Sequence, residues 1–250
     1  MNLFDNVKVN VEDGICSIAL NRPDSLNAMN SALITDVAAA FDFANQDPNT
    51  NVIIFTGEGR GFCAGDDRNE HVQPNDQSEA SKLVDDIQRV TRSIVFGEKL
   101  VVGAINGWAV GGGFEWAINC DFSLWARTAK GFFPEVSLNL FVTGGVTSLL
   151  PALVGLNKAR EMLMLGEKYS AEELHQIGLA WKVVDDDQLL AEAKRVARKL
   201  ASLPPLSSRA MKRVLNKTAS VDLDHAMQLE TTATVTGFMD PKTTRLLKDF

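Results

Sequence analysis

Nothing constrains this 250-residue chain more than a cluster of glycines set directly behind a buried strand. The run Leu100-Val101-Val102-Gly103-Ala104-Ile105 is continuously apolar, which fits a strand covered on both faces. It delivers into Asn106-Gly107-Trp108-Ala109-Val110-Gly111-Gly112-Gly113-Phe114-Glu115. Three adjacent glycines let a backbone approach a ligand closely. At a helix start they also leave bare N–H groups at the positive end of the dipole, where charge developing on an oxygen is stabilised. A second apolar run, Val52-Ile53-Ile54-Phe55-Thr56, closes at Gly57 and leads to Gly61-Phe62-Cys63-Ala64-Gly65-Asp66-Asp67. Each loop taken singly reads as an ordinary turn. The glycines are adjacent and not spaced G-x-G-x-x-G, and no G-K-[ST] follows, which disfavours a dinucleotide or phosphate cradle.

The surrounding pattern predicts an α/β core. Residues 7–11 and 15–20 alternate around Glu12-Asp13-Gly14 and read as a β-hairpin. Apolar residues at helical spacing run from 31 to about 45, with Asn30 or Ser31 placed to cap them. A helix is predicted over 79–96, a short apolar one over 114–119, and a strand over 122–126. Beyond residue 140 helices dominate, at 146–154, 158–165, 171–177, 188–202, 206–217 and 223–236, with a hard break at Pro204-Pro205. The expected division is a core over 1–189 and a helical region over 190–250 whose amphipathic helices pack against another subunit.

Charge and cysteine usage narrow the partners. A net charge of −7 without a run of Lys or Arg argues against nucleic acid or an anionic membrane surface. Cys16, Cys63 and Cys120 are too few and scattered for a disulfide framework, and His71, His175 and His225 are too far apart for a metal-ligand motif. No metal is expected, and Cys63 reads as a small buried hydrophobe. No targeting segment opens the chain and no apolar window is long enough to span a membrane, so the expected compartment is the cytoplasm.

Further motifs join the two glycine loops. Asn21-Arg22-Pro23 and Asn27-Ala28 form N-R-P-x-x-x-N-A, 62–67 reads F-C-A-G-x-D, and the block 104–126 holds G-G-G-x-E and C-D. Pro134-Glu135, Leu150-Pro151, Gly155-Leu156, Leu165-Gly166 and Gly178-Leu179 follow in order. Over nearly its whole length the chain therefore resembles the enoyl-CoA hydratase/isomerase superfamily, the crotonases. The resemblance implies an α/β fold built as a crotonase-like spiral of β-β-α units with a C-terminal helical trimerisation region. It implies a homotrimer, or a hexamer as a dimer of trimers, acting on an acyl-CoA thioester. Coenzyme A is then part of the substrate, with no separate cofactor.

The same resemblance implies the site. The backbone N–H groups of Asp66 and Gly112 would hold the thioester oxygen. Ser25, Ala28 and Ala64 would line the coenzyme A path, with Arg22 as a phosphate neighbour. Glu115 and Glu135 match the two glutamates of the hydratases, in which one carboxylate takes a proton from water while a carboxylic acid supplies one at C2. Phe114, Trp116, Ala117 and Ile118 leave Glu115 no polar face, so burial is expected from the residues alone. Trp108 and Trp116 are candidates for the acyl pocket. Two features depart from typical hydratases: Asp at position 66, where a small or apolar residue is usual, and the segment 139–143, which alters the acyl wall. The expected activity is enoyl-CoA hydratase. The alternatives are an enoyl-CoA isomerase or acyl-CoA hydrolase and, without catalysis, an acyl-CoA or RNA binding protein.

Overall fold

The computed structural model describes residues 4–219 and 223–249. Phe250, whose spacing from Phe238 is part of the resemblance to the crotonases, lies outside them. The main sheet has six strands, β1 (Val7–Glu12), β2 (Ile15–Leu20), β3 (Val52–Gly57), β5 (Leu100–Ile105), β7 (Phe122–Ala126) and β10 (Lys182–Val184), in that order. The β1–β2 hairpin is antiparallel and every later pairing is parallel. A second sheet orders β4 (Gly61–Cys63), β6 (Trp108–Val110), β8 (Lys130–Phe132) and β9 (Tyr169–Ser170). The sequence pattern misses this sheet because strands of two or three residues are too short to show an alternation.

The two sheets are built by one repeated move. A strand of the main sheet is followed by a strand of the small sheet and then a helix. It occurs as β3–β4–α2 (α2, Gln77–Val95), as β5–β6–α3 (α3, Gly112–Asn119), and as β7–β8 leading to α4 (Val146–Val154). This is the β-β-α spiral expected above. The crossings between sheets need glycine for space. A Cβ on Gly107 would lie 2.1 Å from the Arg60 carbonyl oxygen. Asn27, wholly buried and with φ +57°, ties the first crossing down, its Nδ2 donating to Glu58 O at 3.0 Å and Gly61 O at 2.9 Å.

Local rules account for the helices that flank the sheets. Helix α1 (Ser31–Gln46) starts where Asn30 Oδ1 accepts from Leu33 N at 2.8 Å, and it buries the predicted stripe of Leu33, Ile34, Val37, Ala38, Phe41 and Ala44. Phe41, Phe55 and Phe62 meet edge to face at 5.1 and 5.2 Å in the core, with Trp116 tilted against Phe55. Helix α3 begins at Gly112 and not at Phe114 as the apolar pattern suggested, so two of the three glycines form its first turn.

After α4 come α5 (Leu156–Leu165) and α6 (Ala171–Gln176), then α7 (Leu189–Ala201), α8 (Pro205–Ala219), α9 (Leu223–Met239) and α10 (Pro241–Asp249). The expected boundary at residue 190 falls inside a helix that belongs to the core. Leu189, Ala193, Val196 and Ala197 of α7 are buried in the same cluster as β3 and β5, because this face covers the main sheet. The helices that stand off the main sheet's core begin after the Pro204-Pro205 break. Helices α9 and α10 then return to pack on α2 and on the turn 135–138.

Candidate active site

Of the eight residues to which the resemblance gives a catalytic or binding role, seven line one cavity of about 540 Å³: Ser25, Ala28, Ala64, Asp66, Gly112, Glu115 and Glu135. Its heart is the approach of the two glycine loops. Gly65, at φ +81°, sits so near the other loop that a Cβ would lie 2.8 Å from the Val110 carbonyl oxygen. The backbone bonds around Asp66 skip its own N–H. Met29 N donates to Gly65 O at 2.7 Å and Asp67 N to Met29 O at 2.9 Å. On the facing loop Gly111 N donates to Phe132 O at 3.0 Å, and Gly112 N is the first of the unpaired donors that open a helix. The two spare donors therefore flank one space.

The Asp66 side chain does not enter that space freely. Its Oδ2 is 3.0 Å from His71 Nδ1, and the His71 side chain is only 3% exposed against 37% for Asp66. The His71 ring lies against Phe238, centroids 5.8 Å apart. His71 is thus a partner of the loop that carries Asp66.

The two glutamates are both buried but differ in what they accept. Glu115 Oε1 accepts from Thr143 N at 3.0 Å and Oε2 from Thr143 Oγ1 at 2.9 Å. Burial and then the charge of Glu230 push its carboxyl up to about 7, while the Thr143 donors pull the other way. Glu135 opens the short turn Glu135–Leu138 behind Pro134, and its Oε2 is buried with no hydrogen-bond partner. Burial, and next the charge of Glu115, hold it well above the ordinary carboxylate range. Both carboxyls thus hold a proton more readily than an exposed glutamate, and the Thr143 donors favour the ionised form of Glu115 alone.

Residues 10–244 match the model of the enoyl-CoA hydratase/isomerase family. The chain belongs to this family. It is 36% identical over 231 residues to a crotonyl-CoA hydratase of Syntrophomonas wolfei, covering 92% of this chain and 88% of the relative. It is 34% identical to a 1,2-epoxyphenylacetyl-CoA isomerase of Escherichia coli, over 91% and 88% of the two chains. Among solved structures an enoyl-CoA hydratase from Mycobacterium avium subsp. paratuberculosis K-10 superposes with a TM-score of 0.90 at 29% identity, over 99% of each chain.

Within this family member one expected residue is placed elsewhere. Arg22 does not line the cavity. Its guanidinium donates to the Ala28 carbonyl, to Asp67 at 2.9 Å and to Glu70 at 2.8 Å. Asp67 is buried, so the arginine is committed to neutralising it and to bracing the two segments that flank the cavity. Lys168 takes the position at the cavity wall instead, with Nζ 5.3 Å from the Phe132 ring centroid and 5.9 Å from that of Trp108. Nothing in its local sequence distinguishes it from a solvated lysine. Trp108 lines the cavity, whereas Trp116 is packed away in the core. The altered segment does form wall, through Leu140, Phe141 and Thr143. Asn139 turns away, donating to Asp240 at 2.9 Å and to Thr243 at 3.1 Å. Cys63 is buried and its thiol pushed up to about 12, a packing residue.

Proposed function

We propose that this protein is an enoyl-CoA hydratase, adding water reversibly across the C2–C3 bond of a 2-enoyl-CoA. One observation carries the reading. Two buried glutamates, one accepting from the Thr143 donors and one with an unpartnered inner oxygen, face the same cavity as the backbone of Asp66 and Gly112. The Asp66 and Gly112 N–H groups receive the thioester oxygen. Glu115, whose ionised form the Thr143 donors favour, takes a proton from water, and the oxygen of that water bonds to C3. The electron pair of the double bond moves toward the thioester oxygen, where the two N–H groups stabilise it. Glu135 then gives its proton to C2. The reverse sequence is the dehydration.

Coenzyme A enters as part of the substrate, and we assign no separate cofactor. Its path runs past the backbone of Ser25, Ala28 and Ala64, with Lys168 as the cation toward its phosphates. The acyl group points to the wall made by Phe141, Thr234, Phe238 and Leu247, so α9 and α10 shape chain preference. No helix among the described residues is long and apolar enough to cross a membrane. We place the protein in the cytoplasm, and we assign it no nucleic-acid partner because its net charge is −7. A homotrimer, alone or paired as a hexamer, is supported by exposed apolar residues on α4, α5 and α8, among them Leu153, Met164, Leu165, Leu206 and Met211.

An isomerase is the competing reading, favoured by the carboxylate at Asp66 and by the isomerase among the relatives. Hydration of short, long and aryl 2-enoyl-CoAs, followed by loss of the conjugated enone absorbance, separates the two. Glu115→Gln and Glu135→Gln are each expected to lower turnover by about 100- to 10,000-fold while acyl-CoA still binds. Double-bond migration without hydration in the parent protein would overturn the hydratase reading.

A further inference from the structure

A third buried carboxylate stands behind the site. Glu230 of α9 is 0% exposed and its two oxygens accept from Gly145 N at 2.8 Å, Thr147 N at 2.8 Å and Thr147 Oγ1 at 2.6 Å. These are the first donors of α4, whose own cap position is a glycine without a side chain, so α9 supplies the acceptor that the local sequence lacks. The same short segment is gripped from its other end by Glu115, through Thr143 N and Thr143 Oγ1, and Asn119 Nδ2 donates to Gly144 O at 2.9 Å. Glycine is needed between the two grips. A Cβ on Gly144 would lie 2.7 Å from Glu115 Oε2, and one on Gly145, at φ +70°, would lie 2.6 Å from Leu223 Cδ1.

We propose that Glu230 is a positioning residue of the candidate site: by holding Gly145 and Thr147 it fixes the Thr143 donors on Glu115, and its negative charge acts on that carboxylate from behind. The charges facing Glu115 are Glu230 from α9 and Glu135 from the turn after β8. The other side chains at hand, Thr143 and Asn119 of α3, are neutral. Removing the Glu230 charge therefore eases ionisation of Glu115 and leaves Glu135 to set the opposite limb. The kinetic arm of this proposal's test rests on Glu115 serving as the base of the reaction proposed above, and the spectroscopic arm does not.

The test is the pH dependence of kcat/KM in Glu230→Gln, beside an infrared titration of the buried carboxyl groups in resting protein, with Glu115→Gln to assign the Glu115 band. With Glu115 as base, activity falls as pH drops through its titration, which lies near 7 in the parent protein. In Glu230→Gln this acid limb and the Glu115 band should both move about one unit lower, with kcat reduced more than KM is changed. Thr147→Val removes one donor and keeps the charge, so kcat should fall with the limb in place. A folded Glu230→Gln protein whose limb and band stay where they were reduces Glu230 to a helix cap and overturns the proposal. Should Glu230→Gln fail to fold, an unchanged kcat in Thr147→Val overturns it. If none of the proteins hydrates an enoyl-CoA yet the Glu115 band moves, the proposal stands and the hydratase reading falls.

Discussion

Gly111→Ala tests whether Glu135 must stand where it does. Gly111 precedes α3 with φ +51° and ψ −123°, a backbone region essentially reserved for glycine, so alanine there costs about 1–3 kcal/mol of stability. The new Cβ would also lie 2.5 Å from Glu135 Oε1, against an ordinary contact that begins at 3.4 Å. The carboxyl must therefore retreat by about 0.9 Å, the difference of those two distances. A displacement near 1 Å of a reacting group costs about 100-fold in rate, or about 2.7 kcal/mol on the barrier. Gly178→Ala is the control. It too has a strongly positive φ, +83°, but its Cβ would meet only Leu153 O at an ordinary 3.8 Å. Urea unfolding should show comparable losses of stability in the two variants, while the hydration assay should show a loss of kcat in Gly111→Ala alone. A folded Gly111→Ala protein turning over at the parent rate would refute the reasoning, as would an equal loss in both variants.

His71→Ala should lower kcat about tenfold or more, because it frees the Asp66 carboxylate to turn toward the developing oxyanion, where like charges a few ångströms apart repel by up to about 4 kcal/mol near a protein surface. The Asp66→Ala, His71→Ala double variant should recover most of that loss, and an equally slow double variant would exclude this cause. Sedimentation of the parent protein should show a trimer or hexamer. Met211→Glu, which puts a charge at a 61% exposed position of α8, should shift it toward monomer.

What the sequence determined by itself was local. The hairpin of β1 and β2, the buried run of β3 and the Asn30-capped stripe of α1 follow from periodicity and capping within a dozen residues, and the structure keeps them. The burial of Glu115 was readable for the same reason, since its neighbours on α3 are apolar all round. Arg22 shows the limit: its residue type suits a phosphate, but the fold sets it beside Asp67 and Glu70, residues 45 and 48 places away. Nothing around Glu230 distinguishes it from a solvated helix acid. Only the return of α9 onto α2 and α4 buries it against the donors of Gly145 and Thr147. The difference in surroundings between Glu115 and Glu135 is tertiary too, because Thr143 donates to one carboxyl and no described residue donates to the inner oxygen of the other. Backbone pattern is written in neighbouring residues, but a proton's preference depends on desolvation and on donors that only the folded chain assembles.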